Sequence, residues 1–162
     1  MKPYRVAVSG FSGSGKTQLI ERLILYLRKR KLKVGVIKHA HDRIDLDRPG
    51  KDSWRLLKSG ADSVAVVGPK QLMLVLMQKG ADGLERAFKT LPEDLDLVFL
   101  EGFHRTSYPQ IVVADRSGQI RHGPHPIAIV SNEAPTCSIP WFRPEEVGKL
   151  ARFIEMKMKG ND

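Results

Sequence analysis

The sequence predicts an α/β fold in three layers, a mainly parallel sheet flanked by helices, on three observations. A glycine-rich stretch, Gly10-Phe11-Ser12-Gly13-Ser14-Gly15-Lys16-Thr17, fits the phosphate-loop pattern G-x-x-x-x-G-K-[ST]. It stands between an apolar run, Tyr4 to Ser9, and an amphipathic segment, Gln18 to Arg30, which is the strand–loop–helix setting the pattern requires. Beyond it, strand-like and helix-like segments alternate predominantly, the order of a sheet built from parallel crossovers with one antiparallel excursion. Together they describe a P-loop NTPase fold, a single nucleotide-binding domain over residues 1–162.

The chemistry of the loop follows from its residues. Glycine lets the backbone come close to a ligand and turn successive N–H groups toward phosphate oxygens, and the helix that follows adds positive potential at the same point. Ser12, Gly13, Ser14, Gly15, Lys16, Thr17 and Gln18 are therefore the candidate phosphate-binding residues. The Lys16 ammonium reaches the β/γ-phosphates as a catalytic candidate, and the Thr17 hydroxyl suits Mg²⁺.

After the loop, Leu19, Ile20, Leu23, Ile24 and Leu27 share one helix face. The helix ends in Arg28-Lys29-Arg30-Lys31, followed by Lys33, where cations meet the negative end of the dipole as a solvated helix end. Residues 33–38 read as a second strand. The polar loop 39–52 holds two histidines and four aspartates and leaves that strand at the phosphate edge. Lys38 and His39 are placed to meet phosphate, and Asp45 or Asp42 to serve the metal. A zinc site from His39, His41 and a carboxylate lacks the partners of the usual zinc patterns, and an acidic surface loop is the plain alternative.

A short helix spans 53–59 and stops at Gly60. Ser63–Val67 and Leu72–Met77 form a hairpin or two adjacent strands around Gly68-Pro69, and their apolar content exceeds what one covered edge needs, which predicts a dimer contact. A modest helix follows over 84–90. Leu97–Leu100 is continuously apolar, a strand covered on both faces. It leads into Glu101-Gly102-Phe103, where Glu101 would face the phosphate edge as the second acidic group of a P-loop site, binding Mg²⁺ or orienting water. Asp96 starts that strand and belongs to the opposite edge. Ile111–Ala114 and Ile127–Val130 complete the strands, with a turn-rich loop between them. A final helix is expected over 144–157, its stripe formed by Val147, Leu150, Ala151, Ile154 and Met158.

Composition narrows the function classes. The chain is 41% hydrophobic and 28% charged, its apolar runs are too short to span a membrane, and the N-terminus lacks a secretory apolar core. The single cysteine, Cys137, reads as an incidental thiol, and these features point to the cytoplasm. A net charge of +9 favours anionic ligands or acidic partners, yet with 7% aromatic residues and no interleaved basic stripe a nucleic-acid module is disfavoured.

The combination of segments resembles the MobB family, GTP-binding adaptors of molybdopterin-guanine dinucleotide biosynthesis. The resembling residues are Ser12–Thr17, then Val36-Ile37-Lys38-His39-Ala40-His41-Asp42, then Asp45 to Ser53, and Asp96 to Phe103. The Lys-His-x-His-Asp loop leading into Pro-Gly-Lys-Asp-Ser is far more selective than the P-loop. The resemblance implies a homodimer that binds GTP with Mg²⁺ and hydrolyses it feebly. It also implies as partners a MobA-like guanylyltransferase, molybdoenzyme apo-proteins, and molybdopterin or its guanine dinucleotide. Three positions depart from the pattern. His104 stands where members carry Lys, Asn132 where the family places an acidic reader of guanine, and Phe11 where paired P-loops of some dimeric relatives place a second lysine. Asn132 offers one acceptor group where a carboxylate meets both guanine N–H donors. A small-molecule kinase is the alternative, with Arg116 and Arg121 in a lid-like loop.

Overall fold

The computed structural model describes residues 2–40, 44, 49–77, 80–121 and 123–160. In chain order the elements are β1 (Tyr4–Gly10), α1 (Lys16–Lys29), β2 (Val34–Lys38), α2 (Asp52–Lys58), β3 (Ser63–Val67), β4 (Leu72–Leu76), α3 (Gly83–Thr90), β5 (Leu97–Glu101), β6 (Gln110–Val113), β7 (Pro126–Val130), β8 (Trp141–Phe142) and α4 (Val147–Lys159). They fall into two compact units, residues 1–39 with 90–162, and residues 40–89.

The larger unit is built on a six-stranded sheet in the order β2-β5-β1-β6-β7-β8, and every pairing in it is parallel. Side chains alternate across a strand, so each strand offers one set of residues to each face. Val6, Val8, Leu97, Phe99, Ile111, Val113, Ala128 and Val130 meet the buried stripes of α1 and α4 in one core. Those stripes are Leu19, Ile20, Leu23 and Leu27, and Val147, Leu150, Ala151 and Ile154, as helical spacing predicts. The opposite set, including Ala7, Val98, Leu100, Val112 and Ile129, is equally buried. Burial on both faces is why these strands read as unbroken apolar runs.

On that second face, Gly35 lies against the Leu91 and Leu95 side chains. The segment between β5 and β6 is fixed by one residue. Gln110, fully buried at the start of β6, donates from Nε2 to the carbonyls of His104 (3.2 Å) and Thr106 (3.1 Å), and its Oε1 accepts the Ser9 hydroxyl at 3.3 Å.

In the smaller unit β3 and β4 pair antiparallel as a separate two-stranded sheet, from Ser63↔Leu76 to Val67↔Leu72. The antiparallel excursion is thus a hairpin apart from the main sheet. Val66, Val67, Leu72, Leu74 and Leu76 are exposed on it, Val67 by 80%.

Two features of the C-terminal part differ most from the sequence reading. The last helix starts at Val147 because residues 143–146 close a turn of their own: the Glu146 amide donates to the Arg143 carbonyl, and the Glu146 carboxylate accepts the Arg143 amide, both at 2.9 Å. A further strand, β8, pairs beside β7, and its Phe142 ring packs 5.5 Å from Phe153 of α4.

In Gln110→Met the half-buried His104 and Thr106 carbonyls lose their donor at nearly unchanged volume. Urea unfolding should show a loss of about 1–3 kcal/mol, and hydrogen exchange should quicken in residues 102–109.

Candidate functional site

Parallel strands deliver their C-terminal ends to one edge, and the register aligns them. Val8 of β1 lies level with Glu101 of β5, and Glu101 level with Lys38 of β2. β1 has neighbours that lie later in the chain on both sides, β5 and β6, which is the kind of switch point where ligands bind in open α/β sheets.

The loop leaving β1 depends on backbone shapes that side chains resist. Gly10 has φ 150°, and a Cβ there would fall 2.4 Å from the Val113 carbonyl oxygen of β6. Gly15 has φ 89° and caps α1 with no side-chain hydrogen bond. The first helical bond runs from the Leu19 amide to the Gly15 carbonyl at 2.9 Å, so the amides of the first turn are aimed out of the helix end.

Lys16 folds back over this loop, its Nζ donating to the carbonyls of Phe11 (2.6 Å) and Gly10 (3.2 Å). Burial pushes its ammonium below the ordinary lysine range; the nearby Glu101 carboxylate opposes that shift and the Lys38 cation adds to it. The Thr17 hydroxyl donates to Glu101 Oε1 at 2.6 Å, and Lys38 Nζ stands 3.6 Å from the same oxygen. The Glu101 side chain is only 10% exposed, so its charge is held between a hydroxyl and an ammonium in partial shelter from water. His39 donates its backbone amide to the Glu101 carbonyl at 2.9 Å and sets its ring edge-on to Phe103.

These groups suit a polyphosphate with Mg²⁺. The buried Ser14 hydroxyl has no hydrogen-bond partner among the described residues. The Thr17 hydroxyl and Glu101 carboxylate are hard oxygen donors, and Mg²⁺ is commonly held by one or two such groups plus phosphate oxygens and water. Asp45, expected as a further ligand, lies outside the described residues, as do His41 and Asp42. Among the described residues no group of three or more His, Cys, Asp or Glu gathers.

On the other side of β1, the ends of β6 and β7 form a cavity of about 160 Å³ with the loop. Ser14, Gln18, Asp115, Arg116 and Asn132 line it. Asn132 thus lines the same cavity as Ser14 and Gln18 of the phosphate loop. Its segment is braced by the Trp141 indole, which donates to the Ser131 carbonyl at 3.0 Å, and by the Ser131 hydroxyl, which donates to the Glu133 carbonyl. The Asp115 carboxylate accepts the Ser117 hydroxyl and the Ser117 and Gln119 amides; these hydrogen bonds, the hydroxyl first, lower its pKa below the usual carboxylate range. The Arg121 guanidinium lies 3.2 Å from His104 Nε2. Ser12 is exposed on the loop.

Sequence reasoning missed Gln110, Trp141 and Asp115. A lone glutamine before a strand gives no periodic signal, and a two-residue strand falls below any pattern window. The Asp-Arg-Ser-Gly run at Asp115 reads only as a turn.

With this geometry established, known proteins give the context. The family model described as "Molybdopterin guanine dinucleotide synthesis protein B" matches residues 5–132. A protein of Escherichia coli named molybdopterin-guanine dinucleotide biosynthesis adapter protein is 31% identical over 157 residues, covering 92% of this chain and 90% of its own. One of the same name from Haemophilus influenzae is 35% identical over 109 residues, 67% of this chain, and the match spans 61% of that relative's length. Among solved structures, a molybdopterin-guanine biosynthesis protein B aligns with a TM-score of 0.72 at 30% identity, over 96% of this chain and 99% of that one. Bacillus subtilis MobB aligns with a TM-score of 0.73 at 26% identity, over 92% and 96%. A phosphate loop on a parallel sheet, a family match over most of the chain and full-length relatives agree: the chain belongs to the MobB family.

Proposed function

We propose that the chain is a GTP-binding adaptor of molybdopterin-guanine dinucleotide biosynthesis, a dimer with at most a weak GTPase. The observation that carries the nucleotide reading is the hydrogen bond of 2.6 Å between Thr17 and Glu101, beside the Lys16 ammonium. In this reading the amides of residues 13–18 take the phosphate oxygens, and Lys16 exchanges its two loop carbonyls for the β/γ-phosphates. Mg²⁺, when bound, neutralises phosphate charge. Thr17 supplies an oxygen to it, Glu101 supports it directly or through water, and Asp45 is a further ligand from the 39–52 loop.

Lys38 and His39 border the phosphates from the end of β2. Asn132 meets the base, its carboxamide oxygen accepting from guanine. Turnover is slow because Lys16 supplies most of the charge stabilisation that phosphoryl transfer needs, with no arginine assigned to the γ-phosphate.

The adaptor role draws on the names of the relatives. The partners it implies are a MobA-like guanylyltransferase, molybdoenzyme apo-proteins, and molybdopterin or its guanine dinucleotide. The β3–β4 hairpin supports the dimer: a two-stranded sheet is marginal alone, and this one exposes five large aliphatic side chains. No helix among the described residues is long and apolar enough to cross a membrane.

Three outcomes test the proposal. Calorimetry should show GTP affinity falling by about ten-fold or more in Lys16→Ala, since a charge-assisted contact to phosphate is lost; unchanged affinity would refute the role of Lys16. In Glu101→Gln, Mg²⁺ should no longer tighten nucleotide binding, while metal-free affinity stays near that of the parent. Sedimentation should find the parent dimeric and the Val67→Lys/Leu72→Lys variant monomeric; a monomeric parent would overturn the dimer.

A further inference from the structure

The edge of the sheet opposite the phosphate loop holds a cavity of about 520 Å³, within the size range of small-molecule sites. It opens where β1, β5 and β6 begin. There the Tyr4 amide donates to the Asp96 carbonyl and the Ala7 amide to the Pro109 carbonyl. Its walls are mostly apolar: the rings of Tyr4 and Tyr108, Leu32 after α1, Leu95, and Met158 of α4. The Arg5 guanidinium stands beside them, donating to the Tyr108 hydroxyl at 2.7 Å with its carbon 5.5 Å from the ring centre.

The charge balance of this cavity selects its ligand. Its two acids are engaged from within the fold: Glu155 pairs with Arg30 Nε at 2.6 Å, and Asp96 accepts the Lys33 amide at 2.6 Å. Of its cations Lys2 and Lys159 are exposed and Arg5 is half-buried. Three cations thus line the cavity against two acids that already have partners, a balance that favours an anion. Two tyrosine rings offer flat apolar contact to a planar ligand, and the Arg5 guanidinium, one nitrogen of which is taken by the Tyr108 hydroxyl, adds charge complementary to a carboxylate. Burial raises the Tyr4 phenol, which stays a neutral donor at physiological pH.

From these features we infer that the cavity bounded by Tyr4, Arg5, Tyr108 and Met158 is a second ligand site, one that takes a planar aromatic carboxylate. Its residues are all distinct from the phosphate-edge residues, so the site stands whatever nucleotide the loop prefers.

The test uses the full-length chain and 2-naphthoate as probe, with 2-naphthylmethylammonium as its cationic counterpart. Followed by amide NMR, 2-naphthoate should shift Tyr4, Leu32 and Tyr108 and bind about ten-fold or more tightly than the ammonium, from the opposite sign of its charge. Saturating GTP with Mg²⁺ should leave that binding within about two-fold. Lys2→Glu/Lys159→Glu, on exposed positions that leave the core intact, should lose most of the affinity, and Met158→Trp should abolish it by filling the space. Equal binding of the two probes, displacement by GTP, or shifts confined to the phosphate edge would each overturn the inference. So would failure of both probes to bind, the result expected if a peptide or the chain's own termini fill the cavity.

Discussion

The alignment of β1 between β5 and β6 is the constraint on which the rest of the site depends. With Val8 level with Glu101 and Gly10 level with Val113, the loop after β1 starts α1 beside the end of β5, and the Thr17 hydroxyl meets the Glu101 carboxylate. Slipping either strand by one residue would turn every side chain to the wrong face and separate that pair. The burial of both faces makes such a slip costly, since it would carry Phe99 and Ile111 away from the stripes of α1 and α4 into the opposite face, leaving cavities on one side and overpacking the other. Core packing and site geometry are therefore specified by the same residues.

Much of this was legible in the sequence because it rests on local patterns. The loop motif, the stripes of α1 and α4, and the continuous apolar run of β5 each have a single physical reading. Glu101 followed by Gly102 at the end of a buried strand predicted which edge the carboxylate would face. What escaped is what depends on distant pairing. Gln110 matters because two carbonyls from the preceding segment lie within reach of it, and Trp141 because its indole reaches Ser131. Nothing in their neighbouring residues announces either contact. The start of α4 moved for a local reason that competes with helix propensity: Glu146 caps a turn instead of entering the helix.

The charge of the chain also has an internal explanation. The basic run after α1 was read as a solvated helix end, and Arg28 and Lys29 do sit in its last turn, while Arg30 and Lys33 pair with Glu155 and Asp94. α4 repeats the arrangement with Lys157 and Lys159 in its last turn. A good part of the positive excess thus offsets the dipoles of the two core helices. A basic isoelectric point is in this case weak evidence of a polyanionic partner, because helix termini alone account for several of the cations.

A wholly parallel sheet sorts its backbone by polarity. The amino ends of α1 and α4 share one pole and their carboxyl ends the other, as the contacts of Arg22 with Pro144 and of Arg30 with Glu155 show, so the two core helices add their dipoles along the strand axis. The phosphate loop lies at the end of that axis where the backbone's own potential is positive. At the far end the protein must supply lysine and arginine side chains to achieve the same sign. Positive potential is therefore inherited from topology at one pole and dependent on individual residues at the other, and the second is the one that single substitutions can readily remove or reverse.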